Sequence, residues 1–123
     1  MTKRLFTIVI DDDPSVCRAL YRLLRSAQMD VEVYASGESF LQTQLHREPS
    51  CLVLDVRMPE MTGPELRDRL KALGRSIPVV FITGHAEDED GLADDPAEIL
   101  RKPFDDQALL DAIERAVIRE TAC

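Results

Sequence analysis

Leu5-Phe6-Thr7-Ile8-Val9-Ile10-Asp11-Asp12-Asp13-Pro14 decides the architecture of this chain. Its first six residues form an apolar run with no polar alternation, as expected of a strand covered on both faces in a parallel sheet. Three acids close it. Pro14 suits the first position of a helix and Asp13 the N-cap before it. Working outward, the same grammar repeats four times. Val31-Glu32-Val33-Tyr34 is a short strand. Cys51-Leu52-Val53-Leu54 ends in Asp55, Val79-Val80-Phe81-Ile82 ends in Thr83, and Ile99-Leu100-Arg101 ends in Lys102-Pro103.

Helical patterns separate these runs. After Pro14, residues Val16, Leu20, Leu23, Leu24 and Ala27 fall on one face. Ser36 caps a helix expected through about residue 47, with Phe40, Leu41 and Leu45 inward and Pro49 as its stop. Thr62-Gly63-Pro64 opens a third helix with Leu66, Leu70 and Leu73 on one face, and Gly74 sits where a C-terminal glycine belongs. Asp105 or Asp106 caps a last helix with Leu109, Leu110, Ile113 and Val117 inward. Strand and helix alternate five times, which implies an α/β, doubly wound parallel sheet joined by right-handed crossovers.

The 123 residues are expected to make one domain, residues 1–123. Hydrophobic content is 45% and charged content 31%, which is globular rather than disordered. No apolar run has the length of a membrane span, and Met1-Thr2-Lys3-Arg4 leads straight into the first strand. Cys17, Cys51 and Cys123 are odd in number and unclustered, as in a reducing cytoplasm, with Cys51 a small core residue. The net charge of −8 argues against a nucleic-acid surface. That excess is local. Residues 87–95 hold six of the 23 acids and no base, and the remaining 17 acids nearly balance 15 bases.

In an open parallel sheet, residues just past the strand C-termini gather at one edge, where such folds bind ligands. Asp11, Asp12, Asp55, Thr83 and Lys102 all occupy such positions. Adjacent carboxylates are costly without a counter-charge, so Asp11 and Asp12 suggest a cation, with Asp13 set aside as the cap. Oxygen donors suit Mg²⁺ or Mn²⁺ better than zinc, and Asp55 adds a third. A carboxylate also accepts phosphoryl groups covalently. Phosphoryl transfer needs positioning and charge neutralisation, to which the Lys102 ammonium and the Thr83 hydroxyl can contribute.

These stretches resemble the receiver domain of bacterial two-component response regulators. Val9-Ile10-Asp11-Asp12-Asp13-Pro14-Ser15-Val16, Asp55-Val56-Arg57-Met58-Pro59-Glu60-Met61-Thr62-Gly63, Phe81-Ile82-Thr83-Gly84-His85 and Lys102-Pro103-Phe104 carry the likeness in the expected order. Asp-x-Arg-Met-Pro and Thr-Gly-His are similar to regulators with a C-terminal helix-turn-helix output domain. The resemblance implies a flavodoxin-like (βα)5 sheet of order 2-1-3-4-5. It implies that Asp55 is the phosphoacceptor, served by a histidine kinase or histidine phosphotransfer protein. It makes Asp12, Asp55 and the Arg57 backbone carbonyl direct Mg²⁺ ligands, with Asp11 acting through water. Thr83 becomes the switch hydroxyl, Lys102 the phosphoryl-pairing lysine with a cis bond to Pro103, and Arg57 and His85 tune phosphoryl lifetime. Such a domain is a cytoplasmic signalling phosphoprotein that assists its own phosphorylation and autodephosphorylation, not a conventional enzyme. A DNA-binding output domain outside this chain and a homodimer are the partners implied; nucleic acid and membrane are not contacted directly.

Other features read blandly. Asp13 is a cap, His46 a solvated helix residue and His85 a loop residue. Arg18, Arg22 and Arg25 form a stripe that is ordinarily a solvated face, although the resemblance places that helix at the kinase-docking side. Two departures stand out. Only residues 84–101 lie between Thr83 and Lys102, so the fourth helix is expected to shrink to about a turn or be mobile, and the acidic run to be a solvated loop or a contact for a basic partner. Ile99 stands where the family commonly has an aromatic.

Two rival functions use the same residues. A haloacid-dehalogenase-type phosphohydrolase carries its nucleophile in an Asp-x-Asp motif on the first strand, which Asp11 and Asp13 match superficially, but the chain is short for it and the later order differs. A pseudo-receiver binds partners without phosphorylation, yet here all five active-site positions are filled.

Overall fold

The structure is a computed structural model describing residues 4–121; Cys123 lies outside the described residues. Five parallel strands run β1 (Phe6–Ile10), β2 (Asp30–Tyr34), β3 (Cys51–Asp55), β4 (Val79–Thr83) and β5 (Glu98–Arg101). They pair in the order β2-β1-β3-β4-β5. The helices are α1 (Pro14–Ser26), α2 (Gly37–Leu41), α3 (Gly63–Ala72), α4 (Ala86–Gly91) and α5 (Asp106–Thr121).

Period-2 alternation splits the sheet residues between two cores. Ile8, Ile10, Leu52, Leu54 and Phe81 face one side, where Phe40 of α2 and Leu66 and Leu70 of α3 cover them. Val9, Val53, Val80 and Ile82 face the other, where Leu20 and Leu24 of α1 and Leu109 and Ile113 of α5 cover them. Residues buried on both faces explain why β1, β3 and β4 read as unbroken apolar runs. Each fully buried Leu or Ile contributes about 2 kcal/mol of transfer free energy.

Capping follows the sequence closely. The Asp13 side chain accepts the Ser15 N–H at 2.8 Å, and Thr62 with Glu65 forms a capping box. The Asp105 side chain accepts the Ala108 N–H at 2.7 Å, which settles the choice between Asp105 and Asp106. Gly74 takes φ +78, and Arg75 N–H donates back to the Leu70 carbonyl at 2.8 Å. Cys17 and Cys51 are buried and unpaired.

Two local expectations are corrected. Helix α2 ends at Leu41 rather than near residue 47. Beyond it the irregular chain still delivers Leu45 to the core, stacks the Arg47 guanidinium 5.1 Å over the Phe6 ring and pairs Arg47 with Asp30. Thr43 and His46 are weak helix formers, so these tertiary contacts override further turns. Leu73 is 65% exposed rather than inward. It is the C-cap, with ψ 7°, and has left the helical stripe. The fourth helix is short, as its spacing predicts: α4 spans six residues of the acidic region, and Asp88, Glu89 and Asp95 pair with Arg57, Arg101 and Arg67.

Candidate functional site

Sheet register brings the polar strand ends together. Ile10 pairs with Leu54, so Asp11 emerges from β1 alongside Asp55 at the end of β3. Asp55 pairs with Ile82, which places Thr83 one residue farther along β4. Thr83 pairs with Arg101, and the Lys102 N–H donates to the Thr83 carbonyl at 2.7 Å. Strand order reverses between β1 and β3, the crevice where open α/β sheets place their ligands.

Asp11 is buried. Its Oδ1 accepts the Asp13 N–H at 2.9 Å, and its Oδ2 accepts from Lys102 Nζ at 3.3 Å. Asp12 is exposed beside it, and Asp55 is buried. One oxygen from each of Asp11, Asp12 and Asp55 lies within 4.8 Å of the others. Asp55 Oδ1 accepts the Arg57 N–H at 3.3 Å. Burial first, and the Asp11 charge second, push the Asp55 carboxyl up to about 7, although Lys102 and the Arg57 N–H oppose the rise. A carboxyl raised that far carries charge the protein itself leaves under-compensated, and three converging oxygen donors match a hard divalent cation. The residues therefore fit Mg²⁺ or Mn²⁺.

The loop after Asp55 is anchored by burial. Met58 and Met61 insert into the core, and Glu60 between them takes φ +70, a region non-glycine residues seldom occupy. Gly63 starts α3 against the β3 end: a Cβ there would lie 2.6 Å from the Asp55 carbonyl oxygen. The Lys102-Pro103 peptide is cis.

Thr83 is buried, accepts the His85 N–H at 3.1 Å and donates its hydroxyl to Asp88 Oδ2 at 2.5 Å. Arg57 Nε donates to both Asp88 oxygens, at 3.0 and 3.2 Å, and Arg57 Nη2 lies 3.7 Å from Glu87. His85 occupies the α4 N-cap position without a side-chain capping bond.

All five sequence-predicted strand-end residues thus meet at one edge, while Asp13 serves as a cap. Sequence reasoning missed Asp88, Gly63 and Cys17, whose thiol donates to the Asp11 carbonyl at 3.2 Å. Thr62-Gly63-Pro64 signals a helix start but not the tight approach to Asp55, and nothing in a run of six acids singles out Asp88.

A doubly wound parallel sheet with three carboxylates, a hydroxyl and a lysine gathered at its switch point is the architecture of a flavodoxin-like receiver fold. Residues 7–114 match the response regulator receiver domain family, and the chain belongs to it, the signalling module of two-component systems. It is 38% identical over 112 residues to the response regulator protein TodT of Pseudomonas putida, covering 89% of this chain and 49% of that one. It is 35% identical over 122 residues to the transcriptional regulatory protein FixJ of Azorhizobium caulinodans, covering 97% and 58%. The chain spans about half the length of the curated relatives it matches. Among solved structures, FixJ-N superposes with TM-score 0.83 at 32% identity, covering 94% of this chain and 95% of that one. The response regulator StyR superposes with TM-score 0.81 at 42% identity, covering 98% and 64%. Among the described residues no helix is long and apolar enough to cross a membrane.

Proposed function

We propose that this domain is the phosphoacceptor of a cytoplasmic phosphorelay, with Asp55 taking the phosphoryl group from a phosphohistidine of a histidine kinase or histidine phosphotransfer protein. The observation that carries this reading is the convergence of Asp11, Asp12 and Asp55 oxygens within 4.8 Å, with Lys102 bonded to Asp11. An Asp55 carboxylate oxygen forms the new O–P bond as the N–P bond of the donor breaks, and the electron pair of that bond stays on the imidazole nitrogen. Lys102 supplies a positive charge to the phosphoryl oxygens, and the Thr83 hydroxyl donates a hydrogen bond to one of them. Asp11, Asp12, Asp55 and the Arg57 carbonyl would hold Mg²⁺ or Mn²⁺. When bound, that ion neutralises the clustered carboxylates and the incoming phosphoryl charge. The same groups assist hydrolysis of the acyl phosphate, which limits the signal's lifetime.

The output we assign is a DNA-binding domain, or a second copy of this chain, on the ground that relatives such as FixJ are transcriptional regulatory proteins longer than this chain. Mass spectrometry after treatment with acetyl phosphate and Mg²⁺ tests the acceptor. A gain of about 80 Da on wild type, absent from Asp55→Asn, is expected. Wild type without that gain overturns the reading in favour of a non-phosphorylated interaction module.

A further inference from the structure

Helix α4 carries one acid that the phosphoryl chemistry above does not use. The Asp88 side chain is 14% exposed, whereas that of its neighbour Glu87 is 74% exposed. Asp88 is turned back onto the site, where it accepts the Thr83 hydroxyl at 2.5 Å and the Arg57 guanidinium at 3.0 Å. Burial opposes its ionisation, but these bonds and the Arg57 charge hold its carboxyl below the ordinary range.

A threonine hydroxyl has a single proton to donate. While it is given to Asp88, it is withheld from any oxygen bound to Asp55. The helix that bears Asp88 is six residues long and has no buried residue, so few packing contacts fix it in place. We infer that Asp88 is a positioning residue that holds Thr83 and Arg57 in the resting arrangement, so that phosphorylation of Asp55 has to break the Asp88–Thr83 bond. Turning the Thr83 hydroxyl toward a phosphoryl oxygen breaks the Asp88 bond, and the Arg57–Asp88 pair loses one of the two ties that set its position. The inference rests on Asp55 being the phosphoacceptor.

The test uses beryllofluoride with Mg²⁺ as the phosphoryl mimic, titrated into wild type, Asp88→Ala, Thr83→Ala and the double variant. Asp88→Ala is expected to bind about tenfold more tightly, because the hydroxyl is no longer committed elsewhere. Asp88→Asn, which keeps an acceptor but no charge, is expected to gain about threefold. On the Thr83→Ala background the Asp88→Ala gain disappears, a coupling that a merely structural role would not produce. Amide resonances of residues 86–91 in unliganded Asp88→Ala are expected to move toward their positions in beryllofluoride-bound wild type. Unchanged or weaker binding by both Asp88 variants, or an equal gain on both backgrounds, overturns the latch while leaving Asp55 as the acceptor. Wild type that binds no beryllofluoride removes the acceptor reading itself, and the latch with it.

Discussion

Lys102 Nζ lies 3.3 Å from Asp11 Oδ2, a contact that joins residues 91 positions apart and ties the β5 end to the β1 end. The Asp11 carboxylate is fully buried, and the ammonium is the cation that faces it. Removing the lysine leaves a buried charge uncompensated. Lys102→Ala is therefore expected to lose about 1–2 kcal/mol of stability, less than a fully buried pair because the ammonium is partly open to solvent. Excess Mg²⁺ is expected to restore much of the loss, since the ion supplies the missing positive charge. Thermal denaturation in chelator and in Mg²⁺ measures both.

Asp55 gives the metal-free domain a pH signature. An acid whose pKa is raised on folding holds its proton more readily folded than unfolded. Its ionisation in the folded chain thus costs stability as pH climbs from the ordinary carboxylate range through about 7, and the cost is constant above that. Asp55→Asn carries no such charge. In chelator at pH about 8 it is expected to melt about 5 °C above wild type, and the gap is expected to close toward pH about 5. Added Mg²⁺ is expected to stabilise wild type more than the variant. A gap that widens on acidification contradicts the account.

Gly63 tests how tightly the site loop is built. A methyl group there meets the Asp55 carbonyl oxygen at 2.6 Å and the Phe81 ring at 3.3 Å. The obstruction is backbone, so α3 or the β3 end must shift. Gly63→Ala is expected to cost about 1–3 kcal/mol in a denaturant titration and to slow phosphorylation by acetyl phosphate. Gly91→Ala is the control, because a Cβ there meets nothing within 4 Å.

Arg67 anchors the segment that precedes β5. Its Nη1 sits 2.6 Å from Asp95 Oδ2, both side chains are largely covered, and its guanidinium lies 5.1 Å over the Phe81 ring. Arg67→Ala removes the ion pair, the ring contact and packed methylenes together. It is expected to lose about 2–3 kcal/mol and to make residues 92–97 the first site of limited proteolysis.

Much of the fold was readable because its signals are local. The apolar runs, Asp13 and Thr62 as caps, and Gly74 at a helix end each need only a few neighbouring residues to be recognised. The shortened α4 was readable from the spacing of Thr83 and Lys102 alone. The length of α2 was not, because Leu45 packs against the core and Arg47 is committed to Phe6 and Asp30 on the first two strands. Leu73 fits the apolar period of α3, yet the cap geometry removes it from that face. The acidic run looked uniform in sequence, and only burial divides it. Glu87, Asp88, Glu89 and Asp95 all meet arginines, but Asp88 and Asp95 are largely covered while Glu87 stays largely in solvent.

The chain's own order of residues settles which side chains can reach the switch point: Asp11, Asp12, Asp55, Thr83 and Lys102 end parallel strands, and strand polarity sends such residues to one edge. Their energetics belong to the assembled molecule. Asp55 rises to about 7 because folding buries it next to Asp11, and Asp88 acquires its hold on Thr83 because α4 folds back beside the end of β4. Electrostatic and hydrogen-bond energies depend on separations of a few ångströms and on the exclusion of water. Those separations lie between elements remote in sequence, and packing alone sets them.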